Sequence, residues 1–244
     1  MKENKYDDSA FFTKYSGMSR SIKGLEGAGE WKTLERMLPD FNGKRVLDLG
    51  CGFGWHCRYA ADHGAAAVTG VDISRKMLDK AREAGGQNVI TYLQIPMEDI
   101  DFPADSFDIV LSSLAFHYTP DFRSLCRRVA ACLTPGGDFV FSVEHPIFTA
   151  QGRQDWHYDE SGNIMHWPVD GYFMEGPRHA VFLGEEVIKY HRTLTSYLGD
   201  LTAAGFDIST VEEPRPSDEL LATVPGMQDE LRRPMMLIIA ARKR

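Results

Sequence analysis

The sequence predicts an α/β fold in which a doubly wound, mostly parallel sheet carries helices on both faces. Two observations lead to this prediction. Between residues 41 and 145, short apolar runs of strand length alternate with segments of helical period, which is the pattern of βαβ units. Three glycines, Gly50, Gly52 and Gly54, directly follow the first apolar run, at the place where such sheets bind ligands.

The predicted elements begin with an N-terminal helical region, residues 1–40, in which GAGEWKTLERML places apolar residues at helical spacing. Strands follow as short apolar runs: KRVLDLG, AAVTGVDIS, VITYLQI, SFDIVLSSLA and DFVFSVE. Their content of β-branched residues and leucine suits buried parallel strands. Because right-handed crossovers place the carboxyl ends of these strands at one edge, we expect the ligand there.

Helices are predicted between these strands. FGWHCRYAADHG follows the first strand, and RKMLDKAREA follows the second. Ser74 can cap the second helix and Gly85-Gly86 can stop it. Thr119-Pro120 predicts the start of the helix before the fifth strand, with Thr as the cap and Pro at the first helical position.

The alternation stops after Pro146. Residues 146–186 are rich in aromatic side chains and contain three histidines. Long insertions at a ligand edge are usually functional or disordered, and this one is too aromatic for disorder, so we predict a substrate cover. Residues 187–244 then supply a short strand and a helix in VIKYHRTLTSYLGDLTAAG, and two further strands in FDISTVEEP and PMMLIIAARK.

The composition describes an acidic globular chain. Of its 244 residues, 43% are hydrophobic and 25% charged, and the formal net charge is −8. No apolar run approaches the roughly 20 residues that span a bilayer, and the N-terminus has no secretory apolar region, so we expect a cytoplasmic protein without membrane contact. An acidic surface disfavours nucleic acid as a partner. The four cysteines form no Cys-x-x-Cys pair, and no metal site is expected.

Several nucleotide-binding sites compete for the glycine-rich turn. A Walker loop ends in Gly-Lys-Ser/Thr, whereas Trp55 and His56 stand here. A dinucleotide-binding turn has Gly-x-Gly-x-x-Gly and an acid about 20 residues further on, and Asp72 could bind ribose hydroxyls in either remaining case. Asp48, just before the turn, is unfavourable beside a pyrophosphate and suits a ligand with an ammonium or sulfonium end. A nicotinamide-dependent dehydrogenase stays open as an alternative.

Four motifs, in order and at the right intervals, resemble the class I S-adenosylmethionine-dependent methyltransferases, and most closely the type 11 small-molecule group: VLDLGCGFG, VTGVDIS, FPADSFDIVLSSLAFHY and LTPGGDFVFS. The resemblance covers residues 41–145 strongly and the last two strands weakly. It implies a Rossmann-like seven-stranded sheet whose seventh strand is antiparallel. It also implies a single methyltransferase domain over residues 1–244, with S-adenosylmethionine as its cofactor.

The resemblance implies that the glycine-rich turn holds the methionine part of the cofactor. Gly50, Cys51 and Gly52 match the loop whose backbone lies against it. Asp48 matches the acid that supports this loop and the cofactor amino group. Asp72 matches the acceptor of the ribose hydroxyls, because one carboxylate can accept from both.

Adenine contacts are implied on two further segments. Ile73 and Met77 would pack on the adenine face. The family usually has Asp where this chain has Pro96, so one side-chain contact to the adenine edge is lost. The backbone of Met97 or the side chain of Glu98 must then supply that contact.

The remaining cofactor contacts are implied at the edges of the site. Leu114, which follows the fourth strand, would line the methionine side. FFTKYSGMSRS resembles the lid helix of this group, and its Tyr15 and Arg20 could reach the cofactor carboxylate if the helix bends. Arginine suits a carboxylate because it can bind both oxygens at once.

Candidate bases follow the fourth and fifth strands. AFHY and SVEHP place His117 and His145 at the ligand edge of the sheet. Because histidine titrates near neutral pH, we predict that one of them is the general base or orients the acceptor. Glu144 and His191 are further candidates, and proximity alone could suffice without any base.

The resemblance predicts methyl transfer from S-adenosylmethionine to an oxygen or nitrogen nucleophile of a small molecule. The aromatic insertion favours an apolar or aromatic acceptor, or a cationic amine held by ring faces. Two alternatives stay open: methyl transfer to a macromolecule such as RNA or protein, and a non-catalytic S-adenosylmethionine-binding module. SSLA stands where amino-methyltransferases of the first kind carry an Asn-Pro-Pro-Tyr-like run, which argues against that alternative.

Overall fold

The computed structural model describes residues 4–85 and 88–244. The strands in these ranges are β1 (Arg45–Leu49), β2 (Ala67–Asp72), β3 (Ile90–Gln94), β4 (Phe107–Ser113), β5 (Leu133–Glu144), β6 (His157–Tyr158), β7 (Ile164–His166), β8 (Gly176–Phe182), β9 (Glu185–His191), β10 (Phe206–Glu212) and β11 (Met236–Lys243). The α-helices there are α1 (Ser9–Ser16), α2 (Ser19–Lys23), α3 (Trp31–Met37), α4 (Trp55–Asp62), α5 (Arg75–Glu83), α6 (Phe122–Cys132), α7 (Pro146–Ala150), α8 (Leu194–Ala203) and α9 (Asp218–Thr223).

Seven strands form one sheet in the order β10-β11-β5-β4-β1-β2-β3. Strands β1 to β5 are parallel to one another, and β11 runs antiparallel between β5 and β10. The predicted doubly wound sheet and its antiparallel last strand are therefore confirmed. The strand order reverses between β1 and β4, and the carboxyl ends of these strands diverge to leave a crevice for a ligand.

The helices cover both faces of this sheet, which explains why most side chains of the central strands β1, β4 and β5 are buried. On one face, α6 and α8 bury a cluster of aromatic side chains: Phe116, Phe122, Phe139, Phe141, Tyr197 and Phe206. On the other face, α4 packs on β1 and β2, and α3 packs on β5 and β11 through Trp31 and Leu34. Each fully buried side chain of this size contributes roughly 1.5–3 kcal/mol, so this core fixes the positions of the strand ends.

The helix boundaries agree with the sequence in one case and differ in another. Ser74 caps α5 as predicted, because its Oγ accepts from the N–H of Met77 at 3.2 Å. The predicted stop at Gly85-Gly86 lies partly outside the described residues, since Gly86 is not among them. Helix α6 is capped by Asp121, two residues beyond Thr119.

Thr119 is buried in a separate turn, and this explains the late start of α6. Residues Phe116–Tyr118 form a 3₁₀ turn that Thr119 ends. The carbonyl of Thr119 accepts a hydrogen bond from the guanidinium of Arg192, just after β9. This bond holds Thr119 three residues before the helix begins, and the Oδ1 of Asp121 caps α6 instead by accepting from the N–H of Ser124 at 2.8 Å.

The insertion after β5 contains α7 and two hairpins, β6–β7 and β8–β9. The second hairpin extends to His191, five residues beyond the predicted end of the insertion at 186. Phe11 of α1 is fully buried against Ala180 and Val187 of this hairpin. The N-terminal segment and the hairpin therefore pack together at the ligand edge.

A second excursion lies between β10 and β11. It contains α9 and a 3₁₀ turn, Met227–Arg232, neither of which the sequence predicted. Across 4–85 and 88–244, no helix is both long enough and apolar enough to cross a membrane.

Candidate active site

A cavity of about 580 Å³ opens at the carboxyl edge of the sheet. Its walls come from the N-terminal segment, the turns after β1 to β4, the end of β5, strand β9 and the residues before β11. The predicted cofactor residues that line it are Tyr15, Arg20, Gly50, Gly52, Asp72, Ile73, Met77, Met97, Glu98 and Leu114. A cavity of this size is typical of a small-molecule or cofactor site.

The glycine-rich turn forms one wall of the cavity. Gly50 and Cys51 both donate their N–H groups to the carbonyl of Val71, at 2.9 and 3.0 Å. Gly50 and Gly52 have φ of +72° and +52°, which favours glycine. A Cβ at Gly50 would lie 2.5 Å from that of Ala115, whereas a Cβ at Gly52 would meet nothing within 4 Å. Gly52 therefore leaves open space beside the turn.

Asp72 lies at the end of β2 and is bonded to the same turn. Its Oδ2 accepts from the N–H of Gly52 at 2.9 Å, and its Oδ1 accepts from the N–H of Ser74 at 2.8 Å. Burial raises the pKa of Asp72 to about 6, although these hydrogen bonds partly oppose the rise. Each carboxylate oxygen has a further lone pair, so Asp72 can still accept from hydroxyl groups of a ligand.

Asp48 and Cys51 lie outside the lining of the cavity, unlike the other predicted cofactor residues. Asp48 is 1% exposed, and its Oδ2 accepts from the Sγ of Cys57 at 3.2 Å. Its Oδ1 is buried without a hydrogen-bond partner among the described residues. Burial raises the pKa of Asp48 to about 7 and that of Cys51 to about 11. Asp48 is therefore a buried acceptor that a nearby cation would hold in its ionised form.

The segment predicted to read adenine also lines the cavity. Ile73 directly follows β2 and Met77 lies in the first turn of α5, while Met97 and Glu98 belong to the 3₁₀ turn Met97–Asp99 after β3. Pro96 precedes this turn and lines the cavity too, but it has no N–H to donate. The backbone N–H donors of this turn must then come from the residues after Pro96.

Leu114 has a strained backbone at the cavity wall. Its φ is +51°, which costs a residue other than glycine about 1–3 kcal/mol. The conformation is held by its N–H, which donates to the carbonyl of Ser142 at 2.9 Å and lies 3.1 Å from the Ser142 Oγ. The turn after β4 is therefore fixed to β5 where it meets the cavity.

The N-terminal helices bring Tyr15 and Arg20, which are predicted to reach the cofactor carboxylate, to the wall of the cavity. The Nη2 of Arg20 lies 3.2 Å from the Oε1 of Glu30, a carboxylate that is only 1% exposed. Burial would lower the pKa of Arg20, but the charge of Glu30 outweighs it and the pKa lies above its ordinary value. Glu30 also accepts from the Oγ of Ser113 at 3.3 Å, which links the lid to the end of β4.

The segment before α1 is fastened across the start of α5. Asp7 accepts from the Oγ of Ser74 at 2.6 Å and from the N–H of Lys76 at 3.1 Å. The hydroxyl of Tyr6 donates to that of Tyr118 at 3.2 Å. These contacts cover the cavity from above Asp72 to the turn after β4, and the sequence did not predict them.

His117 lines the cavity at the turn after β4 and is 2% exposed. Its Nδ1 accepts from the N–H of Glu144 at 3.4 Å. Burial lowers the pKa of His117 to about 4, although the nearby Glu144 carboxylate raises it. The ring is therefore neutral near pH 7, and its proton is on Nε2 because Nδ1 is an acceptor.

A buried charged pair forms the neighbouring wall. The Nζ of Lys189, on β9, lies 2.5 Å from the Oε1 of Glu144 and donates to the Oε1 of Gln154 at 2.8 Å. The Nε2 of Gln154 donates to the Oε2 of Glu144 at 2.7 Å. Burial would raise the pKa of Glu144, but His117 and Lys189 outweigh it and the pKa lies below its ordinary value. Glu144 is therefore an ionised carboxylate beside the cavity.

His145, the second predicted base, has a capping role in place of the predicted catalytic one. Its Nδ1 accepts from the N–H of Ile147 at the start of α7, at 3.0 Å. Its Nε2 lies 2.9 Å from a carboxylate oxygen of Glu213. The side chain does not line the cavity, because the chain turns into α7 directly after β5 and carries the ring away from it.

His191 is likewise engaged within the fold. Its Nε2 donates to the carbonyl of Tyr172 at 2.8 Å, and its Nδ1 lies 2.8 Å from the Oγ1 of Thr149. The ring is fully buried and lies outside the cavity lining. Both ring nitrogens are used in hydrogen bonds that hold the insertion together, so neither is available to act on a methyl acceptor.

Comparisons with known proteins agree with this arrangement. A family profile described as a methyltransferase domain matches residues 47–141. A structure from Listeria monocytogenes, assigned to the S-adenosylmethionine-dependent methyltransferases, has a TM-score of 0.86 at 56% identity and covers 91% of this chain and 99% of that one. A structure from Mesorhizobium loti with the same assignment has a TM-score of 0.84 at 48% identity, over 90% and 100% of the two chains. This chain belongs to the S-adenosylmethionine-dependent methyltransferases. A ubiquinone biosynthesis O-methyltransferase of Neisseria meningitidis is 34% identical over 158 residues, which are 59% of this chain and 66% of that protein.

The cavity of this methyltransferase fits the family's cofactor at three points. The open space at Gly52 allows a ligand to approach the backbone. Asp72 presents a carboxylate to the cavity, as recognition of a ribose requires. The Oδ1 of Asp48 is a buried acceptor without a partner among the described residues, beneath the turn where a cationic amino group would lie. We find no disagreement between these residues and S-adenosylmethionine.

The aromatic residues of 146–186 mostly lie away from the cavity. Phe148, Trp156 and Trp167 surround the guanidinium of Arg233, at 4.4 to 5.1 Å from the ring centroids. Of the aromatic side chains in this segment, Phe182 lines the cavity. The prediction of an aromatic substrate cover is therefore supported at the β8–β9 hairpin by Phe182, whereas Phe148, Trp156 and Trp167 pack on the excursion before β11.

Several lining residues were missed by the sequence analysis. They are Lys5, Tyr6, Met18, Val187, Ile188, Lys189, Tyr190, Met235 and Met236. The missed residues on β9 could have been found from one feature of the sequence, because a strand is predicted directly after an insertion at the ligand edge. Lys189 in particular was hidden because a lysine in a short strand usually faces solvent.

Proposed function

We propose that this methyltransferase transfers a methyl group to an oxygen or nitrogen atom of a small molecule. The observation that carries the proposal is the cover over the cavity. The N-terminal segment and the β8–β9 hairpin pack together through Phe11 above a cavity of about 580 Å³ that is also lined by most of the predicted cofactor residues. A covered space of this size suits a small acceptor better than a folded protein or RNA.

The apolar side chains of the wall support an acceptor with an apolar body. Met18, Phe182, Val187, Met235 and Met236 line the cavity around the polar group of His117 and Glu144. The name of the Neisseria relative, an O-methyltransferase of ubiquinone biosynthesis, also agrees with a small-molecule acceptor.

We assign cofactor binding to the residues predicted for it. Asp72 would accept from the ribose hydroxyls, the backbone at Gly50 and Gly52 would lie against the methionine part, and Asp48 would compensate the ammonium charge from beneath the turn. S-Adenosylmethionine, when bound, supplies an electrophilic methyl group on a sulfonium sulfur, which keeps the electron pair of the broken bond. The protein contributes position and a dry environment, which together are worth several kcal/mol.

The first experiment measures binding of S-adenosylhomocysteine by calorimetry and transfer of labelled methyl groups to pooled small molecules, to RNA and to protein. We expect binding, and label in the small-molecule pool. Asp72→Asn should weaken binding at least tenfold, since it replaces a carboxylate that pairs with two hydroxyl donors.

Asp79→Asn is the matched control, because it makes the same substitution on the exposed part of α5. It should bind as the wild type does. Label confined to RNA or protein would contradict the proposed acceptor class, and binding without label in any pool would favour a non-catalytic binding module.

A further inference from the structure

The polar side chains at the wall of the cavity include both a hydrogen-bond donor and a hydrogen-bond acceptor. His117, Glu144, Lys189 and Tyr190 all line the cavity, next to apolar side chains. Such a wall holds an apolar molecule with one polar position. The hydrogen-bonding capacity of this wall therefore decides which atom can stand there.

His117 offers a donor to this position. Its Nδ1 accepts from the backbone N–H of Glu144, so the neutral ring carries its proton on Nε2. In the described part of the chain, no group bonds to that Nε2. A ligand that covers this ring at the cavity wall would leave the donor unpaired unless the ligand brings an acceptor atom to it.

Glu144 offers an acceptor beside that donor. Lys189 and Gln154 each use one of its carboxylate oxygens, at 2.5 and 2.7 Å, and leave further lone pairs. The Glu144 side chain is 15% exposed, more than the 4% of Lys189. Because the backbone N–H of Glu144 is the group bonded to His117, the donor and the acceptor belong to one fixed unit.

Oxygen and nitrogen nucleophiles differ in how they can use this pair. A hydroxyl oxygen has two lone pairs, so it can accept from His117 with one, attack with the other, and donate its proton to Glu144. A neutral amine has a single lone pair, and a hydrogen bond from His117 would occupy the electrons needed for attack. The wall thus favours oxygen.

We propose that the acceptor atom is a hydroxyl oxygen on an apolar or aromatic molecule, held between the Nε2–H of His117 and the carboxylate of Glu144. This inference rests on the proposed function and selects between its two acceptor atoms. The oxygen would form a bond to the methyl carbon with one lone pair while the carbon–sulfur bond breaks and its electron pair stays on sulfur; the electron pair of the O–H bond stays on oxygen, and the proton passes to Glu144 and then to water. Lys189 is a positioning residue that keeps Glu144 ionised and in place.

Matched aromatic pairs test the inference by binding rather than by turnover. The protein saturated with S-adenosylhomocysteine is titrated with phenol and aniline, and with naphthol and naphthylamine, by calorimetry or ligand-observed NMR. We expect the hydroxyl member of each pair to bind about tenfold more tightly, because the nitrogen lone pair of an aromatic amine is delocalised into the ring and accepts only a weak hydrogen bond from His117.

Two variants of His117 separate its two nitrogens. His117→Asn retains an acceptor for the N–H of Glu144 but has no donor at the Nε2 position, and it should abolish the preference for the hydroxyl member. His117→Gln retains a donor near Nε2 and should keep most of the preference. Thermal unfolding and S-adenosylhomocysteine affinity of both variants report whether the fold and the cofactor site are intact.

The outcomes distinguish this inference from the proposed function. The oxygen assignment is overturned by equal binding of the hydroxyl and amino members, by a preference for amines, or by no binding of any member. If S-adenosylhomocysteine still binds in these cases, the methyltransferase proposal stands. A hydroxyl preference that persists in His117→Asn overturns the role of His117. Failure to bind S-adenosylhomocysteine would overturn the proposed function itself, and the inference with it.

Discussion

Replacing each of two glycines of the same turn by alanine should affect stability and cofactor binding to different extents. Both Gly50 and Gly52 have positive φ, at +72° and +52°, so alanine costs about 1–2 kcal/mol of backbone strain at either position. At Gly50 the new Cβ would lie 2.5 Å from the Cβ of Ala115, a contact that real structures avoid. Such overpacking adds about 1–3 kcal/mol.

Gly50→Ala should therefore lower the free energy of unfolding by about 2–5 kcal/mol, and Gly52→Ala by about 1–2 kcal/mol. For a chain of this length each kcal/mol corresponds to a shift of about 2–4 °C in the unfolding midpoint. For cofactor binding we expect the reverse: Gly52→Ala, which loses less stability, should lose more affinity. Gly52→Ala places a methyl group in the open space beside the cavity and should weaken S-adenosylhomocysteine binding at least tenfold.

The assay combines urea unfolding with calorimetric titration of S-adenosylhomocysteine for both variants. The double variant Gly50→Ala with Ala115→Gly is the control, because it removes the clash and leaves the strain. It should recover the part of the loss that Ala115 causes. Equal stability losses in the two single variants, or a Gly52→Ala protein that binds the cofactor product as the wild type does, would refute the reasoning.

Three further results are expected. Burial raises the pKa of Asp72 to about 6 and that of Asp48 to about 7, so S-adenosylhomocysteine affinity should fall as the pH drops through these values and the carboxylates are protonated; Asp72→Asn should bind weakly and keep only the dependence near 7, and a wild type insensitive to pH in this range would contradict the expectation. Burial lowers the pKa of His117 to about 4, so titration of this ring should not change kcat/KM near pH 6.5. The pH profiles of the wild type and of His117→Gln should therefore have the same shape around that pH. Arg233, enclosed by Trp167 and its aromatic neighbours and paired with Glu230 at 2.7 Å, should cost about 1–3 kcal/mol of stability when replaced by Met, while cofactor affinity stays unchanged; a cofactor defect would place this cluster in the site.

Local patterns were sufficient for the central sheet and for placing most of the predicted cofactor residues at the wall of the cavity. Strand and helix periods are properties of neighbouring residues, and so are the turn glycines and the acid that ends β2. The chain therefore specifies Gly50, Gly52 and Asp72 before any tertiary contact is known. The cap of α6 shows the limit, because Thr119 has the right type for a cap but a distant residue, Arg192, binds its carbonyl.

The sequence by itself determined that a parallel sheet ends in a glycine-rich turn and an acid suited to S-adenosylmethionine. Only the tertiary structure decided which side chains meet the acceptor. His117 and His145 follow adjacent strands and look equivalent in the sequence, yet the turn into α7 removes His145 from the cavity. Lys189 joins Glu144 across 45 residues because the β8–β9 hairpin folds back over the sheet edge. Contacts of this kind depend on how elements distant in the sequence pack together, and the local periodicity of the sequence does not specify that packing.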